Sequence, residues 1–196
     1  MSALEKSPLC LANEAVICWD RCDDELIGIF DNYEISVLRS HGEALLALLD
    51  HRERSYENMP LDDNRTALLP NATTDDTRLI AILRDQLGQD EPDWLLTLHE
   101  VASFDELRVA LGTFLATLPS DSGAVRLRSR VEAEAWARSI QVFAAALAAV
   151  TDETGRAFEQ DAGPTSAWLA RISGGLSEAL DGGSSPDATH VYDTER

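Results

Sequence analysis

The chain has 196 residues, 35 Asp and Glu against 16 Lys and Arg, and a formal net charge of −19. The length favours one decorated domain, and 44% apolar residues with only 6% aromatics, dominated by Leu and Ala, favours helix. A field of this sign repels phosphate backbones and anionic lipid heads over about 8–10 Å in physiological salt, so nucleic acid is a disfavoured partner, and no apolar run approaches the roughly 18 residues of a membrane span.

Residues 1–13 show no period and read as a flexible arm without a secretory signal. "AVICW" and "ELIGIF" are short β-rich runs around the polar "DRCDD", the pattern of an antiparallel hairpin with a loop of four or five residues. Val16 and Cys18 would share one face, Ile17 and Trp19 the other. From Asp31 the period becomes helical: Asp31 and Glu34 form an N-cap pair, and Ile35, Leu38, Leu45, Leu46 and Leu49 recur on one stripe. Gly42 lies mid-helix, where it either permits a close crossing or is simply tolerated. "RERSYENMPLDDNRTALLPNATTDD" reads as a connector broken at Pro60 and Pro70.

A helix over about 75–87 follows, capped by Thr73 or Thr74, with Leu79, Ile80, Leu83 and Leu87 on one stripe and Gly88 as its stop. "DEPDWLLTLHEVA" predicts a short helix with Pro92 in its first turn and Trp94, Leu95, Leu98 and Val101 or Ala102 inward. Ser103 and Glu106 match a capping box and predict a separate helix from Phe104 to about Leu118, with Leu107, Leu111, Phe114, Leu115 and Leu118 inward. "AVRLR" alternates and suits a third strand, which a lone hairpin needs for stability. Ser129 and Glu132 repeat the box and open the longest helix, about 130–152, with Val131, Ala135, Trp136, Ile140, Phe143, Leu147 and Val150 as its buried stripe. A last helix carries Trp168, Leu169, Ile172, Leu176 and Leu180 inward, with a distortion expected at Gly174–Gly175. Residues 182–196 are rich in Gly, Ser and acids and read as a disordered acidic tail.

Candidate chemistry is sparse. Cys10, Cys18 and Cys22 are odd in number and irregularly spaced, and no histidine near them completes a zinc set; ordinary thiols are favoured over metal or disulfide. His41, His51, His99 and His190 form no metal-ligating pair, and His99 and Glu100, as sequence neighbours, fall on different helical faces. Nucleophile-elbow and phosphate-loop motifs are lacking. Acid pairs such as Asp62–Asp63 and Asp75–Asp76 sit in loops and at helix starts, where solvation and the helix dipole account for them. No cofactor or metal is therefore expected. "RLRSR" is the one dense basic spot, and Arg126, Arg128 and Arg130 there are candidates for contact with an acidic partner or an anion, or for pairing with the chain's own acids.

The succession "EISVLRSHGEALLALL", "LLPNATTDD", "SFDELR" to "FLATLP", "VRLRSRVEAEAWARSI" and "AWLARISGGLSEAL" resembles an uncharacterised bacterial domain-of-unknown-function family of high-GC Gram-positive genomes. The resemblance spans about residues 15–180. It implies no catalytic residues, and an association with regulated proteolysis only through members encoded near a Clp protease adaptor; some members carry a transcription-regulator label. The chain departs from the pattern after Trp136: "SIQVFAAALAAVTDE" stands where the family has an Asn-Asp pair and an Arg-Leu-Leu-Gly-like run, so a contact made there would be altered over Arg138 to Asp152.

Together these observations predict a mainly α-helical bundle of five or six helices over residues 14–181, with a small N-terminal antiparallel sheet of two or three strands. The functional expectation is a cytoplasmic, non-enzymatic binding or regulatory protein with a protein partner, a homodimer being one arrangement. It should expose an apolar helix face, on the first or the last helix. A transcription regulator using "RLRSR" and a metal- or carboxylate-dependent enzyme are the alternatives.

Overall fold

The computed structural model describes residues 19–22, 24–57, 74–154 and 159–181. The arm 1–13, the tail 182–196, Val16 to Cys18, Cys10, His190 and the connector over 58–73 lie outside the described residues. The elements are β1 (Trp19–Cys22), β2 (Glu25–Phe30), α1 (Asn32–Glu57), α2 (Thr77–Leu87), α3 (Asp93–Thr117), β3 (Gly123–Leu127), α4 (Arg130–Thr154) and α5 (Glu159–Asp181). The result is a mainly α bundle with a three-stranded antiparallel sheet in the order β1-β2-β3.

The hairpin is tighter than expected. Cys22 pairs with Glu25, which leaves two residues in the connection and places Asp20 to Cys22 in the strand. Trp19, Gly28 and Val125 lie in one row across the sheet, and Leu26 and Leu127 in another. This face covers Trp136 of α4, whose ring centroid is 5.4 Å from Trp19 and 5.7 Å from Phe30. A Cβ on Gly28 would meet the rings of Trp19 and Phe30 at 2.9 Å, so the row closes only because that position has no side chain.

Helix α1 opens on the expected capping box. The Glu34 N–H donates to Asp31 Oδ1 at 2.8 Å, and the Asp31 N–H donates to Glu34 Oε2 at 2.9 Å. The other Glu34 oxygen accepts from Trp168 Nε1 at 3.0 Å, so the cap also ties α1 to α5. Gly42 marks a close crossing: its absent Cβ would lie 2.8 Å from Leu115 Cδ2 on α3. α1 continues to Glu57 through residues assigned above to the connector, and at 26 residues it exceeds α4. Helix α2 starts at Thr77, later than expected, because Asp76 and not Thr74 caps it by accepting from the Arg78 N–H at 2.9 Å. Gly88 ends it with φ 127° and donates to Arg84 O.

The largest departure is α3. The short helix and the helix after Ser103 are one continuous element from Asp93 to Thr117. Between Leu98 and Leu107 there is neither Gly nor Pro, so nothing breaks the hydrogen-bond ladder. Glu106, the would-be return partner of Ser103, pairs instead with Arg138 on α4.

The Ser129 box is used, with the Glu132 N–H donating to Ser129 Oγ at 3.2 Å; the Glu132 carboxylate returns to the Arg128 N–H at 2.5 Å. Helix α4 is the hub of the bundle and packs against α5, α3 and α2. Trp136, Ile140 and Phe143 of its expected stripe are buried, whereas Val131 is 69% exposed. Trp136 Nε1 donates to Thr117 Oγ1 at 2.6 Å, which pins the end of α3. Leu169, Ile172 and Leu176 of α5 are buried as expected, and the helix runs on through Gly174 and Gly175. These elements share a single hydrophobic core.

Candidate interaction surface

An α-helix turns about 100° per residue, so positions nine apart lie on opposite sides. Leu98 and Leu107 are nine apart. In two separate helices both could face inward; in the continuous α3 only one can. The phase is set by Leu107, Leu111 and Phe114, all fully buried, and it extends back through Phe104 and Glu100 to Leu96. Trp94 and Leu98, expected inward, are therefore 66% and 47% exposed.

The outward stripe of α3 consists of Trp94, Leu98, Ala102, Asp105, Val109, Gly112 and Ala116, all exposed, with Val109 at 71%. Six of these seven are apolar or glycine. A surface helix ordinarily turns polar residues outward; α3 is apolar on both sides. The exposed apolar face therefore lies on α3, not on α1 or α5, where Tyr33 of α1 is the one large hydrophobic side chain exposed among the described residues.

Charged groups border this stripe and are occupied with one another. On the α1 side, Arg108 reaches Asp50 at 3.3 Å, Glu53 at 3.0 Å and Asp105 at 3.0 Å. On the α4 side, Arg138 reaches Glu106 at 3.0 Å. Exposed pairs of this kind add little stability. Their effect is to offset the charge of Asp105, the only acid within the stripe, and of Glu106 beside it, while the α1 side stays acidic.

Beneath the stripe lies a cluster not foreseen from the sequence. Glu100 is fully buried. Its Oε1 accepts from Arg52 Nε at 2.6 Å and from the Tyr56 hydroxyl, and its Oε2 accepts from the Thr74 N–H at 3.3 Å. The Arg52 guanidinium also lies 4.8 Å from the centre of the Tyr56 ring. Burial, then the hydrogen bond to the Glu100 carboxylate, holds the Tyr56 hydroxyl well above the usual phenol range. Both carboxylate oxygens have donors, so the cluster acts as a clamp joining the end of α1, the middle of α3 and the residues before α2. Its signal in the sequence was phase: Glu100 lies four residues from both Leu96 and Phe104, on the buried stripe.

The three arginines singled out above do not converge on one site. Arg126 and Arg128 both reach Glu25, at 3.3 and 3.6 Å, and Arg130 reaches Glu134 at 2.7 Å. Arg130 also borders a polar cleft of about 440 Å³ with Arg21, Asp24, Glu134 and Asp181. His41 sits in a second groove of about 310 Å³ with Leu45, Leu48, Arg78, Phe143 and Leu147. Its ring meets Phe143 edge-on at 5.9 Å, and burial lowers its pKa against the opposing hydrogen bond to the Val37 backbone. His51 and His99 are exposed. Cys22 is an exposed free thiol on β1, not part of a turn. Among the described residues no group of three or more His, Cys, Asp or Glu could hold a metal ion, and no helix is long and apolar enough to cross a membrane.

No protein-family model, curated protein or solved structure matches this chain. The functional reading therefore rests on its own surface and chemistry.

Proposed function

We propose that this protein is a non-enzymatic binding protein and that the outward face of α3 is the surface it binds with. The observation that carries this reading is the exposure of Trp94, Leu98 and Val109 on one stripe of a helix whose opposite stripe already fills the core. An exposed apolar patch with a polar rim marks an interaction surface, and tryptophan is among the residue types enriched at binding hot spots. The buried clamp at Glu100 supports the reading because it holds the supporting helix rigid under the stripe, and a rigid face loses less entropy on binding. The transcription-regulator alternative draws no support from Arg126, Arg128 and Arg130, whose guanidinium groups face acids of the same chain.

The test is site-specific photo-crosslinking in the protein's native cell. A photoreactive residue replaces Ala102 in the stripe, and a control replaces Glu178 on the exposed side of α5. A discrete adduct from position 102 and none from position 178 is the expected result. No adduct from position 102, or the same adducts from both, would overturn the assignment.

A further inference from the structure

Given that α3 presents the binding face, we infer that its occupant is the α3 of a second copy of this chain, packed antiparallel across a two-fold axis. Three features of the stripe point to this partner.

The first is its self-complementary shape. Leu98 and Val109 are symmetric about the midpoint between residues 103 and 104, and so are Ala102 and Asp105. Trp94 and Gly112 are symmetric about residue 103. An antiparallel pair centred between residues 103 and 104 sets Leu98 of each copy against Val109 of the other, and Trp94 of each copy within one residue of Gly112. A Cβ built on Gly112 would meet nothing within 4 Å, so the surface above it is open to receive the indole. Ala102, Gly112 and Ala116 let the two backbones approach to the short end of the usual 8–10 Å helix separation. A two-fold arrangement uses the same patch on both copies and closes as a dimer, so it leaves no apolar stripe to propagate a fibre.

The second is charge. Copies of a chain carrying −19 repel each other, so a self-contact must lie where the surface is locally neutral. Within the α3 stripe itself only one residue is charged. Its single acid, Asp105, is bound to Arg108, and in this register it faces Ala102 and not its own copy. Arg138 offsets Glu106 on one flank, and Arg108 offsets part of the charge of Asp50, Glu53 and Asp105 on the other.

The third is area. Trp94 offers on the order of 150 Å². The whole stripe offers on the order of 500 Å² per copy, so a pair buries about 1,000 Å², the lower limit for a specific interface. An interface at this lower limit is expected to associate reversibly. Salt should strengthen it, because screening reduces the repulsion between the two acidic bodies.

Sedimentation velocity on the full chain, from about 1 µM to about 1 mM, tests this. The expected result is a monomer–dimer equilibrium that Leu98→Asp with Val109→Asp abolishes, circular dichroism remaining unchanged because both sites are exposed. Trp94→Ala and Gly112→Leu should each weaken the dimer at least about tenfold, a loss of roughly 1.4 kcal/mol. Trp94→Ala combined with Gly112→Leu should recover most of that loss, since the large and small partners have exchanged places. A monomer across the whole range, a dimer indifferent to Leu98→Asp with Val109→Asp, or no recovery in the exchanged pair would overturn the inference. An in-cell adduct from position 102 to a different protein, with the purified chain monomeric, would overturn the second copy as occupant and leave the α3 face standing as the binding surface.

Discussion

Replacing Glu100 with leucine should destabilise the fold by about 3 kcal/mol, and the size follows from what the carboxylate holds. Three donors converge on it: Arg52 Nε, the Tyr56 hydroxyl and the Thr74 N–H. A typical hydrogen bond contributes about 1 kcal/mol net, more where one partner is charged. Removing one member of a buried ion pair costs about 3–5 kcal/mol. The lower end applies, because the Arg52 side chain keeps 15% exposure and can turn toward water, whereas the Glu100 side chain has none. Glu100→Gln is the informative companion. An amide oxygen at the Oε1 position keeps the bonds from Arg52 and Tyr56, but the amide nitrogen then confronts the Thr74 N–H, donor against donor. That change should cost about 1–2 kcal/mol. For a chain of this size, each kcal/mol lowers the melting temperature by about 2–4 °C, so losses of about 6–12 °C and 2–8 °C are expected. Urea denaturation followed by far-ultraviolet circular dichroism supplies both values. A loss below about 1 kcal/mol for Glu100→Leu would refute the clamp, since the apolar replacement would then satisfy the site as well as the ion pair does.

Gly28→Ala should destabilise by about 1–2 kcal/mol. The gain of roughly 0.5–1 kcal/mol from replacing glycine within a strand is outweighed by overpacking of about 1–3 kcal/mol against the Trp19 and Phe30 rings; a raised urea midpoint would show that those rings yield. His41 makes the fold acid-sensitive. Its folded pKa lies below the ordinary 6.5, so its contribution is complete above pH 6.5 and is lost as the pH falls from there through the folded value. Stability measured between pH 7 and 5 should decline less steeply in His41→Leu than in the parent chain, and equal slopes would show that the histidine does not contribute. Cys22→Ser should change stability by no more than about 0.5 kcal/mol, as expected of an exposed site, and should leave self-association unaltered in sedimentation; a large loss of either would reopen a role for the thiol.

Much of the fold was legible locally. The Asp31–Glu34 and Ser129–Glu132 boxes announced the starts of α1 and α4 because both partners of each cap lie within one turn. The alternation in "AVRLR" disclosed β3, and the i, i+3, i+7 spacing of Leu169, Ile172 and Leu176 disclosed the inner face of α5. The boundary errors have a common origin. The Ser103–Glu106 box was as good a local signal as the other two, yet the chain passed through it, because Phe104 and Leu107 extend an apolar phase already running through Leu96 and because Arg138 on α4 claims Glu106. Likewise, α1 outran its expected end because Arg52 and Tyr56 find Glu100 on a different helix.

The sequence by itself determined where apolar residues recur, where caps sit and that the chain is strongly acidic, since these depend on neighbours within about one helical turn. It also contained both apolar stripes of α3. Only the tertiary structure decided which of them the core would take. The stripe of Leu96, Leu107, Leu111 and Phe114 meets Trp136, Phe143 and the close crossing at Gly42, and once it is packed the helix can turn no other way. The continuity of one hydrogen-bond ladder then carries Trp94, Leu98 and Val109 to the outside, and the binding face is the apolar surface that a single rigid helix could not bury on both sides.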